Sequence, residues 1–411
     1  MKRRVVITGM GVVSPIGNDL ETFWNSILNQ ECGIDEIKSF NTDEYKVKLA
    51  AEVKDLIEDM YFTKRELQFN DRFTVFARIA AKQALTDSKL DLERINKKRF
   101  GVIIGSGIGG LASLENASNS LKERGPSRIS PYFIPMTLIN LAAGQVAIDN
   151  KAQGLCSSVV TACAAGTNAI GEAFHKIRDG YQDVMIAGGS EAAITPLGIA
   201  GFMVMRALHA GNDKNYASIP FDENRSGFVM GEGSGILILE ELEHALARKA
   251  NILAEVIGYG SSCDAHHITA PVEDGSGAAY AMEEAINDAM IEKESIDYIN
   301  AHGTSTPLND KTETKAVKLA FGEHSTKLAM SSTKSYTGHL LGASGAVEAI
   351  ICVKALQDGY IPATINTKAQ DPLCDLDVVL GKGRHQAIKT VMSNSLGFGG
   401  HNASIILRKW D

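Results

Sequence analysis

Short apolar runs rich in β-branched residues alternate along the chain with segments whose apolar residues recur every three or four positions, and most of the short runs end at glycine. In the first half the runs are residues 4–9, 100–105, 158–162 and 184–188. They lack polar alternation, so they predict strands covered on both faces, and the periodic segments between them predict the covering helices. One such helix follows the first run, where Asn18 or Asp19 can cap it and Leu20, Phe23, Trp24, Ile27 and Leu28 share a face. Another opens with small residues after Cys163 and continues through Ile170, Phe174 and Ile177. The alternation is that of an α/β protein.

The second half repeats the style in residues 252–260, 296–302, 327–331 and 391–397. Residues 100–106 read like residues 296–302, and the helix opening at Cys163 reads like the one opening near His339. The expectation is a duplicated unit whose halves pack intimately, since no long Pro/Ser-rich linker separates them. Gly231-Glu232-Gly233-Ser234-Gly235 leads into an apolar strand and a helix over 242–249, and this crossover divides the chain into expected halves of 1–250 and 251–411.

Composition narrows the class. In 411 residues, 44% are hydrophobic and 22% charged, as in ordinary globular proteins, and 39 glycines against 10 prolines predict many tight turns. The formal charge of −8 argues against a general nucleic-acid binder, and it requires any acidic partner to find a local basic patch. Six cysteines, at positions 32, 156, 163, 263, 352 and 374, show no Cys-x-x-Cys spacing. That excludes the usual zinc and dense-disulfide patterns and predicts reduced thiols in a cytoplasmic protein. The apolar run after Lys2, Arg3 and Arg4 is too short for a signal peptide, and no run approaches the ~18 apolar residues of a membrane span. A soluble protein is expected.

The most informative chemistry is Cys163, set among small residues where an apolar run becomes a helix, Val159-Val160-Thr161-Ala162-Cys163-Ala164-Ala165-Gly166. A thiol at a helix N-terminus faces unpaired N–H groups and the positive end of the macrodipole, which predicts a stabilised thiolate. His302 and His339 lie in similar small-residue turns, and a nucleophilic thiol with two imidazoles points to acyl transfer on sulfur. The other five cysteines are expected to be structural. Lys334 and Glu348, flanked by small and apolar residues, are candidates for a buried ion pair orienting the histidines. Gly105-Ser106-Gly107-Ile108-Gly109-Gly110 matches a dinucleotide fingerprint, but no acidic residue closes a second strand about twenty residues on, so it reads as a pocket-shaping turn. Phe398, between glycines at 397, 399 and 400, is a β-turn residue or a gate.

Val160-Thr161-Ala162-Cys163, Asn300-Ala301-His302-Gly303-Thr304-Ser305-Thr306, Ser332-Thr333-Lys334-Ser335 through Gly338-His339, and Gly397-Phe398-Gly399-Gly400 stand in the order and spacing of the beta-ketoacyl-acyl-carrier-protein synthases. The chain resembles that family over almost its whole length. Residues 227–233 and 264–271 are also similar to it, and Ile108 after Gly107 resembles the bacterial type II condensing enzymes of fatty-acid synthesis.

The resemblance implies a thiolase-like fold, with two similar α/β halves in a five-layer α-β-α-β-α arrangement, and a homodimer. It implies that Cys163 takes an acyl chain from acyl carrier protein, and that His302 and His339 stabilise the enolate formed as malonyl carrier protein loses CO2. Lys334 and Glu348 become the supporting pair. The backbone N–H groups of Cys163 and Phe398 become an oxyanion hole, and Phe398 a gate. Thr304, Thr306 and Thr269 would hold pantetheine, while Ile108, Phe202 and Phe398 would line an acyl pocket. No metal or bound cofactor is implied, since phosphopantetheine arrives on the carrier.

Gln68-Phe69-Asn70 stands where relatives often carry basic residues, which leaves Lys64, Arg65 and Arg206, and less strongly Arg128, as the expected carrier-docking patch. A thiolase would place a second cysteine in a glycine-rich motif, which Cys352 and Cys374 lack, and the initiating synthases use Cys-His-Asn, against His339. A papain-like hydrolase finds no other support in the chain. A non-catalytic chain-length factor would lack Cys163. A polyketide ketosynthase stays open, as does the preferred chain length.

Overall fold

The computed structural model describes residues 2–410. Its large sheet contains β1 (Val5–Val13), β2 (Phe100–Gly105), β3 (Cys156–Ser157), β4 (Val184–Glu191), β5 (Gly233–Glu241), β6 (Ala254–Cys263), β7 (Tyr298–Asn300), β8 (Ala329–Ser331), β9 (Asp377–Val378), β10 (Thr390–Gly397) and β11 (His401–Lys409). The helices that position the site are α1 (Leu20–Leu28), α2 (Arg72–Ser88), α3 (Asn140–Asn150), α4 (Ala165–Arg178), α5 (Ser276–Ala289), α6 (Asn309–Phe321) and α7 (Ser344–Asp358).

Across the sheet the order is β9-β8-β7-β10-β11-β6-β1-β5-β4-β2-β3. Reading outward from the β1–β6 junction, the two halves run β1-β5-β4-β2-β3 and β6-β11-β10-β7-β8, the same succession of first, last, next-to-last, second and third strand. Directions match as well. The first strand is antiparallel to the last, the last is antiparallel to the one before it, and the remaining neighbours are parallel. The duplication is therefore topological, with β9 added to the second half. The half-sheets are joined by antiparallel pairing of β1 with β6, Val5 opposite Val256 and Ile7 opposite Ala254.

Strand periodicity sorts the core into layers. Val102, Ile104, Ile186, Ile236 and Ile238 pack with Phe73, Phe76 and Ile79 of α2 and Val146 of α3 on the outer face of the first half. Their neighbours Ile103, Met185, Ala187, Leu237 and Leu239 point the other way, into a core shared with α4 and α7. In the second half Val391 and Ile405 face that same central layer. Met392 and Ile406 face α5 and α6. The result is five layers, α2/α3, sheet, α4/α7, sheet, α5/α6, and both faces of every inner strand are apolar because both are covered.

Local departures have physical causes. Residues 158–162 do not form a strand, because β3 ends at Ser157 and the chain leaves the sheet in irregular backbone to enter a 3-10 turn at Ala162–Ala164. The helix capped by Asp19, whose side chain accepts the Thr22 N–H, buries Phe23, Trp24 and Ile27, while Leu28 is 39% exposed. Of the cysteines expected to be structural, Cys352 and Cys374 are buried and Cys32 is half-buried, but Cys156 and Cys263 are exposed at strand ends.

The central helices approach through glycine. A Cβ at Gly166 of α4 would lie 2.8 Å from the Gly342 carbonyl oxygen, and one at Gly345 of α7 would lie 1.9 Å from Thr167 Oγ1. Gly166→Val and Gly345→Val are each expected to lower the unfolding free energy by about 1–3 kcal/mol through overpacking. An unchanged urea midpoint in both variants would contradict this close approach.

Candidate active site

Two matching turns bring the site together. In the first half Ala162 takes φ +48° and Cys163 occupies the 3-10 turn that opens α4. In the second half Leu341 takes φ +49° in the 3-10 turn Leu341–Ala343 that opens α7, just after His339. Left-handed backbone at residues with a Cβ costs on the order of 1–3 kcal/mol and persists only where the surroundings hold it. At the second turn the holding group is Glu191 at the end of β4. Its buried carboxylate accepts the N–H groups of Gly107 (2.6 Å), Ile108 (3.1 Å), Gly109 (3.2 Å) and Gly342 (3.0 Å), and the Ser106 hydroxyl (2.8 Å). The glycine loop that matches a dinucleotide fingerprint is thus wrapped around an internal carboxyl group, with its backbone donors already engaged.

His302 follows β7. Its N–H and that of Gly303 donate to the two carboxylate oxygens of Glu313 on α6, both at 2.8 Å, and the Ser332 hydroxyl donates to the Gly303 carbonyl. Burial pushes the Glu313 carboxyl up to about 7. His339 is held by backbone bonds to Val229 and Gly231, and its Nδ1 meets Ser344 Oγ at 2.9 Å, leaving Nε2 as the nitrogen available to the cavity. The His302 and His339 rings stand edge to face, 5.3 Å apart, and Phe228 packs 5.2 Å from His339.

Lys334 and Glu348 form a buried ion pair at 2.5 Å. Burial, and after it the Lys334 charge, hold both imidazoles well below their ordinary range, so each is neutral at pH 7 and serves as a hydrogen-bonding group rather than as an acid. For Cys163 the expectation of a stabilised thiolate fails. Desolvation pushes the thiol up to about 11, and the Lys334 charge and the Phe398 N–H only partly oppose it. The cost of desolvating a charge outweighs what the helix dipole and the N–H groups return.

Cys163, His302, His339, Phe202, Phe228 and Phe398 line one cavity of about 350 Å³. Thr269, Thr304, Thr306 and Arg206 line it too, and the hydroxyls of Thr304 and Thr306 are 2.9 Å apart. The ring of Phe398 lies 6.3 Å from that of Phe202. A Cβ at Gly397 would come within 2.8 Å of the Thr161 carbonyl oxygen and 3.2 Å of the Cys163 nitrogen, so only glycine lets Phe398 approach the thiol's turn.

Ile108 is not among the cavity's lining residues. It packs beside Cys163 and Phe202 in an adjoining apolar cluster. Lys64 and Arg65 lie exposed on the short helix Lys64–Leu67, apart from the cavity walls, and Arg128 is exposed in a separate 3-10 turn. Phe69, from the stretch lacking basic residues, stacks on Tyr132 with ring centroids 4.1 Å apart.

Sequence reasoning missed Glu191 and Glu313. An acid closing the apolar run 184–189, and an acid on the same helix stripe as Val317 and Phe321, were the available signals.

The arrangement offers a nucleophile, paired neutral imidazoles and backbone donors in one desolvated pocket. Family models for the beta-ketoacyl synthase N-terminal domain and C-terminal domain match residues 2–245 and 253–368. Proteins named 3-oxoacyl-[acyl-carrier-protein] synthase 2 from Synechocystis sp. and Staphylococcus aureus are each 50% identical to the chain, over 100% of it and 99% of their own length. Among solved structures, a beta-ketoacyl synthase from Burkholderia phymatum superposes with TM-score 0.93 at 33% identity. A type II polyketide ketosynthase in complex with its acyl-carrier protein gives 0.93 at 36%, and both cover 100% of each chain.

The raised thiol pKa has a direct consequence. A thiol pushed up to about 11 is overwhelmingly protonated at pH 7, so alkylation by iodoacetamide should accelerate about tenfold per pH unit from pH 7 to 10. Peptide mapping of the labelled site checks this, and a rate that levels off near neutral pH would contradict the neutral thiol.

Proposed function

The chain belongs to the beta-ketoacyl synthase family, and from that premise we propose that it elongates acyl chains on acyl carrier protein in fatty-acid synthesis, by decarboxylative condensation at Cys163. The observation that carries this reading is the meeting of Cys163 with two neutral histidines in one cavity beside a buried Lys334–Glu348 pair. The 50% identity to proteins named 3-oxoacyl-[acyl-carrier-protein] synthase 2, against 36% to the polyketide ketosynthase, favours the fatty-acid carrier.

In the first half-reaction Cys163 Sγ attacks the carbonyl of the acyl thioester, the pantetheine sulfur leaves, and the proton given up by the cysteine ends on that thiol. The N–H groups of Cys163 and Phe398 receive the oxyanion. Because the resting thiol is neutral, deprotonation accompanies the arrival of the thioester. In the second half-reaction His302 and His339 donate to the thioester oxygen of malonyl carrier as the C–C bond to CO2 breaks. The resulting enolate carbon attacks the acyl-enzyme and expels the Cys163 thiolate, which takes a proton from solvent to restore the neutral thiol, giving a 3-oxoacyl product two carbons longer.

Neutral imidazoles suit this task, since an imidazolium would protonate the enolate it is meant to stabilise. Thr269, Thr304 and Thr306 offer hydroxyls to the pantetheine arm, and Phe398 gates the thiol. Phe202 borders the acyl chain, and Ile108 belongs to the apolar cluster beside the pocket. All the groups this chemistry uses come from the protein and the carrier-borne substrate, so neither a metal nor a resident cofactor is required.

Lys64, Arg65 and Arg206 supply positive charge for an acidic carrier and act chiefly on association rate. Six free cysteines support a reducing, cytoplasmic setting. No helix among the described residues is long and apolar enough to cross a membrane.

The edge strand β3 leaves one side unpaired, and nearby segments expose Ile134, Leu138, Ile148 and Val160, features that support a homodimer. Light scattering is expected to give twice the 44.0 kDa chain mass. A single-chain mass at micromolar concentration would reject the dimer.

Intact-protein mass after mixing with a medium-chain acyl carrier protein tests the mechanism. One acyl adduct is expected at Cys163, discharged by malonyl carrier into the longer product. Cys163→Ala should abolish elongation with the fold retained, while His302→Ala and His339→Ala should impair decarboxylation more than acylation. Elongation by Cys163→Ala, or equal losses in both half-reactions for the histidine variants, would count against these assignments.

A further inference from the structure

The turn that carries the nucleophile is braced from the opposite half of the molecule. Asn168, buried in the first turn of α4, donates through Nδ2 to Thr161 Oγ1 at 2.6 Å. Its Oδ1 accepts the Tyr259 hydroxyl at 2.7 Å, and Tyr259 lies on β6, the strand at which the second half begins. One amide thereby links the thiol's turn to the other half-sheet.

Thr161 occupies a sensitive place. Its carbonyl accepts the Ala164 N–H at 3.0 Å, closing the 3-10 turn around Ala162 and Cys163. The same oxygen is the atom that a Cβ at Gly397 would strike, so Thr161 lies between the Cys163 turn and the segment leading to Phe398. Those two segments carry the N–H groups proposed to receive the acyl oxyanion. A small displacement of Thr161 changes the separation of the two donors.

The far end of the link is rigid. The backbone N–H of Tyr259 donates to Asp288 Oδ2 at 3.2 Å, and the same oxygen meets His175 Nε2 at 3.0 Å. The His175 ring stands edge to face against Tyr259, 5.2 Å between centroids, and Gly171 leaves room for the phenol, since a Cβ there would lie 2.2 Å from the ring. Burial pushes the Tyr259 hydroxyl up to about 12, so it remains a donor over the working pH range.

We propose that Thr161, Asn168 and Tyr259 form a positioning relay that sets the oxyanion-hole geometry for acyl transfer onto Cys163. They touch neither substrate nor sulfur and act through the backbone of residues 161–164. The proposal rests on the reading of Cys163 as the acyl acceptor, and it separates the half-reactions, because His302 and His339 hang from other elements.

The test measures single-turnover acylation of Cys163 by acyl carrier protein, malonyl-carrier decarboxylation and thermal unfolding for Tyr259→Phe, Thr161→Val, Thr161→Ser and the double variant Thr161→Val/Tyr259→Phe. Loss of one hydrogen bond from the relay should slow the acylation step roughly 3- to 10-fold in Tyr259→Phe and Thr161→Val at saturating carrier, with KM and decarboxylation unchanged. Thr161→Ser, which keeps the hydroxyl, should acylate at nearly the wild-type rate. The double variant should be no slower than the slower single variant, because both cuts fall on one link.

Wild-type acylation rates in Tyr259→Phe, equal losses in acylation and decarboxylation, or losses that multiply in the double variant would each overturn the relay while leaving the role of Cys163 intact. Absence of any acyl adduct on the wild-type protein would overturn both.

Discussion

The close approach of α4 and α7 is the constraint on which the rest depends. Each helix comes from one half of a duplicated topology, and each opens with a left-handed residue followed by a 3-10 turn. Gly166 and Gly345 let the two backbones come together where side chains would collide. Because the helices are related by the duplication, their N-terminal turns converge, and so the loop ends that precede them converge too. One brings Cys163 and the other His339. The sheet junction between β1 and β6 supports this arrangement by joining the half-sheets along one edge, so that both helices are buried between them.

Convergence of two helix N-termini creates a region of positive potential without an imidazolium in it. Lys334 adds a full charge, and its pairing with Glu348 keeps that charge buried in a defined place. The imidazoles respond by staying neutral. A site intended for developing oxyanions and enolates gains from this combination of donors and dipoles with no readily transferred proton. Two further carboxylates, Glu191 and Glu313, serve the backbone. They collect N–H groups from turns whose amides would otherwise be buried unpaired, and they fix the loops on which the reactive side chains sit.

Much of this is legible in the sequence. Strands such as 100–105 and 184–191 are recognisable because both faces are covered and both are apolar, and the repeated style of the halves predicts the repeated topology. Cys163, His302, His339 and the Lys334–Glu348 pair stand out because small residues clear space around them and because the motifs resemble a known family. Other features depend on contacts that no local pattern contains. The run Val159-Val160-Thr161 has the composition of a strand, yet the chain turns out of the sheet there to deliver Cys163, and Val160 is left 52% exposed. Glu191 looks like a surface acid until residues 106–109 and 342, distant in the chain, close over it. At Cys163 the helix start is visible locally, whereas the desolvation that outweighs it is supplied by the whole fold.

A neutral, half-buried nucleophile makes sense of why a duplicated fold needs bracing across its halves. Were the thiolate permanently formed, its charge would itself attract the surrounding N–H groups and hold the turn in shape. With the thiol protonated, that attraction is missing in the resting state, and the donors must be positioned by something else. Hydrogen bonds within the first half are poorly suited to this, since they move with the turn they are meant to fix. A donor on β6, its backbone anchored through Asp288 of α5, refers the turn to the opposite half-sheet. In this arrangement the geometry of the oxyanion hole is set before charge develops, which is the condition under which preorganised donors lower a barrier rather than merely follow the reaction.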